Sequence, residues 1–136
     1  MSNIQQTLSI IKPDAVERNL SEEIKKEFKN NNFNILKEKK VKISKSEAEK
    51  FYQVHQTKPF YNDLCEYLSS GPIVVMILER NDAVTENRKL MGATDPTKAE
   101  EGTLRKKFGI SIDKNSVHGS DSLENAKKEI DFFFKD

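Results

Sequence analysis

The sequence predicts an α+β fold in which a four-stranded antiparallel sheet carries packed helices. Short β-branched runs alternate with amphipathic stretches in the order strand, helix, strand, helices, strand, helix, strand, helix, and the core of that order is βαββαβ. One run, IVVMILE at 73–79, is apolar without interruption, as a buried central strand should be. The chain has 136 residues and eight phenylalanines spread along it, which suits one domain, 1–136, with a substantial core.

The elements follow in chain order. TLSIIK (7–12) is short and β-branched, and Pro13 biases Lys12 towards extended geometry, so a strand should end at Lys12. SEEIKKEFKNN (21–31) opens with a Ser cap and two acids, and Ile24 and Phe28 lie four apart, which reads as a helix. FNILKEKKVKI (33–43) alternates loosely and reads as a strand. SKSEAEKFYQVHQ (44–56) has a second cap signature and reads as a helix. YNDLCEYLSSGP (61–72) carries Leu64 and Leu68 on one helical face and stops at Gly71-Pro72. After the apolar strand, DAVTENRKLMG (82–92) runs from an acidic cap to a glycine stop. Residues 93–114 show weak periodicity and are expected to be mostly an ordered loop. NSVH (115–118) is a short last strand, and DSLENAKKEIDFFF (121–134) is a helix with Leu123, Ala126, Ile130, Phe133 and Phe134 in one stripe. The pattern as a whole is a ferredoxin-like sandwich with its helices on one face of the sheet.

Composition excludes several function classes. The 23 basic and 22 acidic residues nearly cancel, so there is no electrostatic footprint for a specific nucleic acid or an anionic membrane. No apolar run approaches the ~18 residues of a spanning helix, and MSNIQQTLSIIKPD lacks the layout of a signal peptide. The single cysteine, Cys65, excludes an intrachain disulfide, so a soluble protein of a reducing, cytoplasmic compartment is expected. The usual phosphate loop, the dinucleotide fingerprint and the protein-kinase signatures are absent, and the histidines and cysteine have no metal-ligand spacing. KKFGISI (106–112) faintly echoes an RNA-binding strand without its aromatic pair.

The chain has two histidines, and one of them, His118, sits in NSVHGSDS (115–122), between a strand end and a helix start. Neutral imidazole is abundant near pH 7 and can attack a phosphoryl group. Such a site needs a group that fixes the ring, cations for the phosphates and usually a metal ion. Glu129, on the flank of the last helix's stripe, suits the first role and Ser120 can complete it. Lys12, Arg88 and Arg105 lie at or near element ends and suit the second. Spacing alone leaves open that Glu129 is a solvated acid, that the three cations are surface charges, and that His118 only caps a loop.

Five blocks carry a resemblance that resolves these alternatives: IIKPDAVER (10–18), SGPIVVMILE (70–79), RKLMGATDP (88–96), GTLRKKFG (102–109) and NSVHGSDS. In that order and over essentially the whole chain, they resemble the nucleoside diphosphate kinase family. The resemblance implies transfer of the γ-phosphate of a nucleoside triphosphate to a diphosphate, ATP to GDP for instance, by a ping-pong route through phosphohistidine. It makes His118 the nucleophile through Nδ1, with Glu129 and Ser120 holding the ring, Tyr52 close by, and Lys12 on the terminal phosphate and the sugar hydroxyl. Arg88, Thr94 and Arg105 would clamp phosphates, with His55 near the phosphate chain. Phe60 would stack on the base with Leu64 among the nucleotide contacts, and Asn115 would bind the sugar hydroxyl. Mg2+ would bridge the phosphates without a dedicated set of protein ligands. Gly119 is expected to let phosphate and backbone pass closely. The resemblance implies a homo-oligomer, tetramer or hexamer, and the short tail and simple layout suggest a bacterial-type enzyme. The competing reading is a catalytically silent nucleotide-binding module on the same fold. Asn19, Glu101, Lys106 and Lys107 depart from the family pattern, in a turn and in or near the 93–109 loop that, by the resemblance, would help form subunit contacts. The turn at Asn19 should survive, because asparagine tolerates the left-handed region.

Overall fold

The computed structural model describes residues 4–111 and 114–134. Strand β1, Ile4–Ile11, begins earlier than its β-branched residues suggest and ends just before Lys12. Lys12 keeps extended backbone and caps a short helix, α1, Pro13–Glu17, which starts on the proline. Proline lacks only an N–H that the first helical turn cannot pair anyway. Five residues are too few to show a helical period, so the sequence does not announce α1. The chain then turns at Asn19, whose φ of 60° is the left-handed geometry expected there. Helix α2, Ser21–Asn30, buries Ile24 and Phe28 as expected, but Ser21 is its first helical residue rather than its cap, and Leu20 holds the N-cap position with no side-chain bond.

Strand β2, Asn34–Val41, is irregular between Ile35 and Lys37 and largely exposed. Helix α3, Lys45–Phe51, has the anticipated capping box, in which Ser44 Oγ accepts from the Glu47 N–H and Glu47 accepts from the Ser44 N–H. It ends at Phe51 rather than at residue 56, and the chain tightens into a 3-10 turn at Gln53–His55. Helix α4 is Tyr61–Leu68, strand β3 is Ile73–Asn81, and helix α5 is Ala83–Met91. The stretch 93–114 is more structured than expected: it holds a 3-10 turn at Pro96–Lys98 and helix α6, Leu104–Phe108. Side chains start both, since Asp95 accepts from the Thr97 N–H and Thr103 from the Lys106 N–H. Residues 106–108 of the RNA-like echo are therefore helical, while Ile112 and Asp113 lie outside the described residues. Strand β4 is Val117–Gly119 and helix α7 is Leu123–Phe134. On α7, Ala126 and Phe133 are buried, whereas Leu123 is 52% exposed and does not belong to the buried stripe.

The sheet order is β2-β3-β1-β4 and every pairing is antiparallel, so the ferredoxin-like topology holds. The helices, however, cover both faces. Ile11, Val74, Met76 and Leu78 pack with Ile24, Phe28 and Met91 on one side. Leu8, Ile10, Ile73 and Val75 pack with Ala48, Leu68 and Phe133 on the other. Alternation along β1 and β3 sends successive residues to opposite faces; both sets on β3 are apolar, and on β1 Leu8 and Ile10 alternate with the buried Thr7, Ser9 and Ile11, so each face needs its own helical layer. None of the described helices is long and apolar enough to cross a membrane. β4 lies against the central strand β1, with Ile10 opposite His118 and Ser9 opposite Gly119, which anchors the histidine-bearing strand to the most buried part of the sheet.

Candidate active site

His118 is the middle residue of β4, and its half-buried ring faces α7 and the end of α3. Its Nε2 lies 3.1 Å from Glu129 Oε1, and the same oxygen accepts a 2.7 Å bond from Ser120 Oγ. Ser120 is fully buried and is itself fixed by two bonds to Leu8: its Oγ accepts from the Leu8 N–H, and its N–H donates to the Leu8 carbonyl. The carboxylate therefore engages one ring nitrogen, Nε2, and Nδ1 is the other. An imidazole oriented in this way has its Nε2 side stabilised when positive charge develops on the ring.

Aromatic rings complete the setting. Phe51, the last residue of α3, meets the His118 ring edge-on at 5.3 Å between centroids, and Tyr52 does so at 6.2 Å. Tyr52 is buried, and burial followed by the nearby Glu129 charge raises its phenol far above the ordinary range, so it stays protonated. His55 lies 6.2 Å from Tyr52 and 6.0 Å from Phe60, whose ring is 43% exposed. Burial, then the Lys58 charge, hold His55 below its ordinary value, and its Nδ1 is enclosed without a partner among the described residues. Phe51, Tyr52 and His55 border a cleft of about 340 Å3, whose lining also includes His118, Glu129 and Asp121 but not Phe60. A larger depression of about 490 Å3 lies between α2 and β2, and its lining residues include no histidine or cysteine. Its Lys25 is paired with both Glu22 and Glu38.

The remaining expected residues lie outside the lining of that cleft. Lys12 is buried and donates a 2.9 Å bond to Asn115 Oδ1, and Asn115 Nδ2 donates to the Thr94 carbonyl. The three are thus one chain of contacts, although Asn115 was expected to meet a sugar hydroxyl. Arg105, from α6, gives one N–H to the Gly92 carbonyl and one to the Val117 carbonyl, both at 3.0 Å, while its Nε is enclosed without a partner among the described residues. Desolvation, then repulsion from Arg88, bring Arg105 down to about 10, so it remains charged at neutral pH. Two guanidiniums that feel each other in this way would be relieved by an anion between them. Leu64 packs against the Leu8 side of the core.

Some of what shapes the site is not visible in sequence motifs. Phe51 reads as an ordinary helix-face aromatic, yet it touches the His118 ring. Asp121 lines the cleft, and a bond from Asn125, ahead of the Arg88 and His118 charges, keeps its carboxyl below the usual range. Gly119 lines the cleft, and it has a packing reason besides the one expected. A Cβ there would stand 2.4 Å from Asn87 Nδ2 and 2.7 Å from Met91 Cε, so the glycine admits helix α5 against β4.

The donor set also bears on a metal ion. Among the described residues no group of three His, Cys, Asp or Glu side chains could hold one. Glu129 is already engaged by His118 and Ser120, which leaves Asp121 as the carboxylate on this cleft that is not committed to the histidine. This arrangement fits an ion that arrives bound to the phosphates of a nucleotide, and does not fit a resident metal centre.

A family model described as nucleoside diphosphate kinase matches residues 5–136. The nucleoside diphosphate kinase of a Nitratiruptor species is 56% identical over 131 residues, covering 96% of each chain. That of Campylobacter curvus is 57% identical over the same share of both. Among solved structures, the Aquifex aeolicus nucleoside diphosphate kinase superposes with a TM-score of 0.95 at 38% identity, covering 97% of this chain and 96% of that one. The Encephalitozoon cuniculi enzyme gives 0.93 at 36% identity, covering 97% and 90%.

Proposed function

The chain belongs to the nucleoside diphosphate kinase family, and from that premise we propose that its transfer of a phosphoryl group from nucleoside triphosphate to nucleoside diphosphate runs through His118. The single observation that carries this reading is the bond between His118 Nε2 and Glu129 Oε1, in which the ring N–H donates to the carboxylate, leaving Nδ1 as the attacking atom. The Nδ1 lone pair forms a bond to the γ-phosphorus as the bond from that phosphorus to the β-phosphate oxygen breaks. The diphosphate leaves with the electron pair, and the positive charge on the ring is balanced by Glu129. The second nucleoside diphosphate then attacks the same phosphorus, and the Nδ1 bond breaks in turn. A covalent carrier lets donor and acceptor use one site in succession.

Lys12, Arg88, Thr94, Arg105 and His55 bind the phosphate chain, Phe60 and Leu64 take the base, and Asn115 takes the sugar. Tyr52, kept protonated, and Ser120 hold the ring's surroundings in place. The exposed face of Phe60 supports its role, because stacking reads only the π-face of a base and so accepts purines and pyrimidines alike. Arg88 and Arg105, which repel each other in the free protein, support a role in phosphate binding. Mg2+ arriving on the phosphates would neutralise charge on the transferring group, and Asp121, the carboxylate of the cleft not committed to His118, would be the residue available to it. Cys65, buried and outside any disulfide, agrees with a reducing, cytoplasmic setting, and the protein assembles as a tetramer or hexamer, which sedimentation of the purified protein distinguishes.

The decisive experiment is incubation with γ-labelled ATP and magnesium. The protein should take up one acid-labile, base-stable phosphate per chain and release it to GDP, and His118→Ala should take up none. A His118→Ala protein that labels and makes GTP at the normal rate would remove His118 from the reaction.

A further inference from the structure

We infer that the Asp14–Arg18 pair is a positioning device that locks together the segments delivering the reactive histidine and its phosphate-binding partners. Asp14 sits in α1, behind the site, and its side chain is only 3% exposed. A carboxylate buried to that degree is costly unless every lone pair is used, and here each oxygen has a partner on a different segment. Tyr67 of α4 donates its hydroxyl hydrogen to Oδ1, while the Tyr67 oxygen accepts the Asp14 N–H at 2.8 Å. Ser116 Oγ donates to Oδ2 at 2.8 Å, and Arg18 pairs with the same oxygen at 3.1 Å. Arg18 also donates to the Phe108 carbonyl at the end of α6 and to Ser116 Oγ.

The partners of this pair are the segments that carry the site. α4 bears Leu64 and follows Phe60, and α6 bears Arg105. Ser116 stands between Asn115 and Val117, two residues before His118, and its carbonyl accepts the N–H of Lys12 at 2.8 Å. Ser116 has a φ of 73°, a conformation that a non-glycine residue keeps only when its surroundings hold it there. Its hydroxyl, fixed by Asp14 and Arg18, supplies that hold. Release of Asp14 would free the Asn115–Ser116 backbone, and with it the placement of Lys12, of the Val117 carbonyl that Arg105 grips, and of His118.

The inference rests on the reading of His118 as nucleophile, and the two can fail separately. Asp14→Asn and Ser116→Ala are measured singly and together, with His118→Ala as a control, at a temperature where circular dichroism shows each variant fully folded. Each single variant should lower kcat by about tenfold or more and raise KM for both ATP and GDP, because the freed segment places the nucleotide contacts Lys12, Asn115 and Arg105 as well as His118. The double variant should be little worse than the weaker single one, a non-additivity expected of residues acting through one contact. Folded variants with wild-type kcat would overturn the inference, as would additive losses in log kcat. If Asp14→Asn does not fold, Ser116→Ala decides alone, since it leaves Asp14 bonded to Tyr67 and Arg18: a normal kcat overturns the inference and a reduced one supports it. A His118→Ala protein that still turned over would overturn the nucleophile assignment instead.

Discussion

Glu129 spends one carboxylate oxygen on both His118 Nε2 and Ser120 Oγ, which makes it the residue on which the ring's orientation depends. Glu129→Gln keeps the shape but cannot balance charge on the imidazole. It should lower kcat on the order of a hundredfold or more while leaving KM for nucleotides within about twofold, as when a buried carboxylate behind a catalytic histidine is neutralised. Steady-state kinetics over a range of ATP and GDP checks this, and an unchanged kcat contradicts the assignment. His55 makes a different statement about pH. Burial and Lys58 hold it below its ordinary 6.5, so on acidification the unfolded chain takes up the proton first. The stabilisation is complete above about pH 6.5 and is lost as pH falls towards the lower folded value. His55→Gln should therefore lose less melting temperature than the wild type between about pH 7 and pH 5, by about 1–2 °C. Equal losses in both proteins would contradict it.

Helix α5 and strand β4 meet at Gly119, and the contact is tight because Asn87 and Met91 occupy the space a side chain would need. Gly119→Ala should destabilise the protein by about 1–3 kcal/mol through overpacking and displace the neighbouring histidine, so that melting temperature and kcat both fall. Asn87→Ala removes the nearer obstacle, and its buried amide has neither a donor nor an acceptor partner among the described residues. The double variant Gly119→Ala, Asn87→Ala should therefore regain stability relative to Gly119→Ala alone, which urea denaturation measures. A double variant less stable than both single ones would contradict the contact. This contact also marks the limit of what sequence conveys. The turn at 115–122 and the Ser44-x-x-Glu47 box are local chemistry, and both form where the residues dictate. Helix α1 and α6, at five residues each, have too few turns for a hydrophobic period to emerge, and the N-cap of α2 is set by the preceding turn at Asn19 rather than by Ser21. The same holds in the site. His118, Glu129 and Ser120 can be read from a motif and a helix spacing, whereas Asp14, Phe51 and Asp121 gain their roles only from segments brought together across the sheet.

At the scale of the whole molecule, two helical layers share one sheet, and the paired middles of β1 and β3 serve both. Leu8 and Leu78, both fully buried, face opposite layers from adjacent strands. Because successive residues of one strand serve opposite faces, the melting of either layer strips apolar contacts from the strands that the other layer needs. The protein should therefore unfold as one cooperative unit despite its two cores. Two probes see different parts of it. Tyr52 and Tyr61 pack in the layer that faces Leu8, while Tyr67 of α4 bonds to Asp14 of α1, so two of the three tyrosines report that side, and far-ultraviolet circular dichroism reports all helices. Leu8→Ala and Leu78→Ala should each cost about 2–5 kcal/mol. In urea at fixed protein concentration, which would matter for the proposed oligomer, each should shift the tyrosine and dichroism transitions by the same amount. If Leu78→Ala instead produced an early dichroism transition while the tyrosine transition stayed in place, the layers would be independent. The candidate site, which takes His118 from the sheet, Glu129 from one layer and Arg105 from the other, would then lose Arg105 before His118.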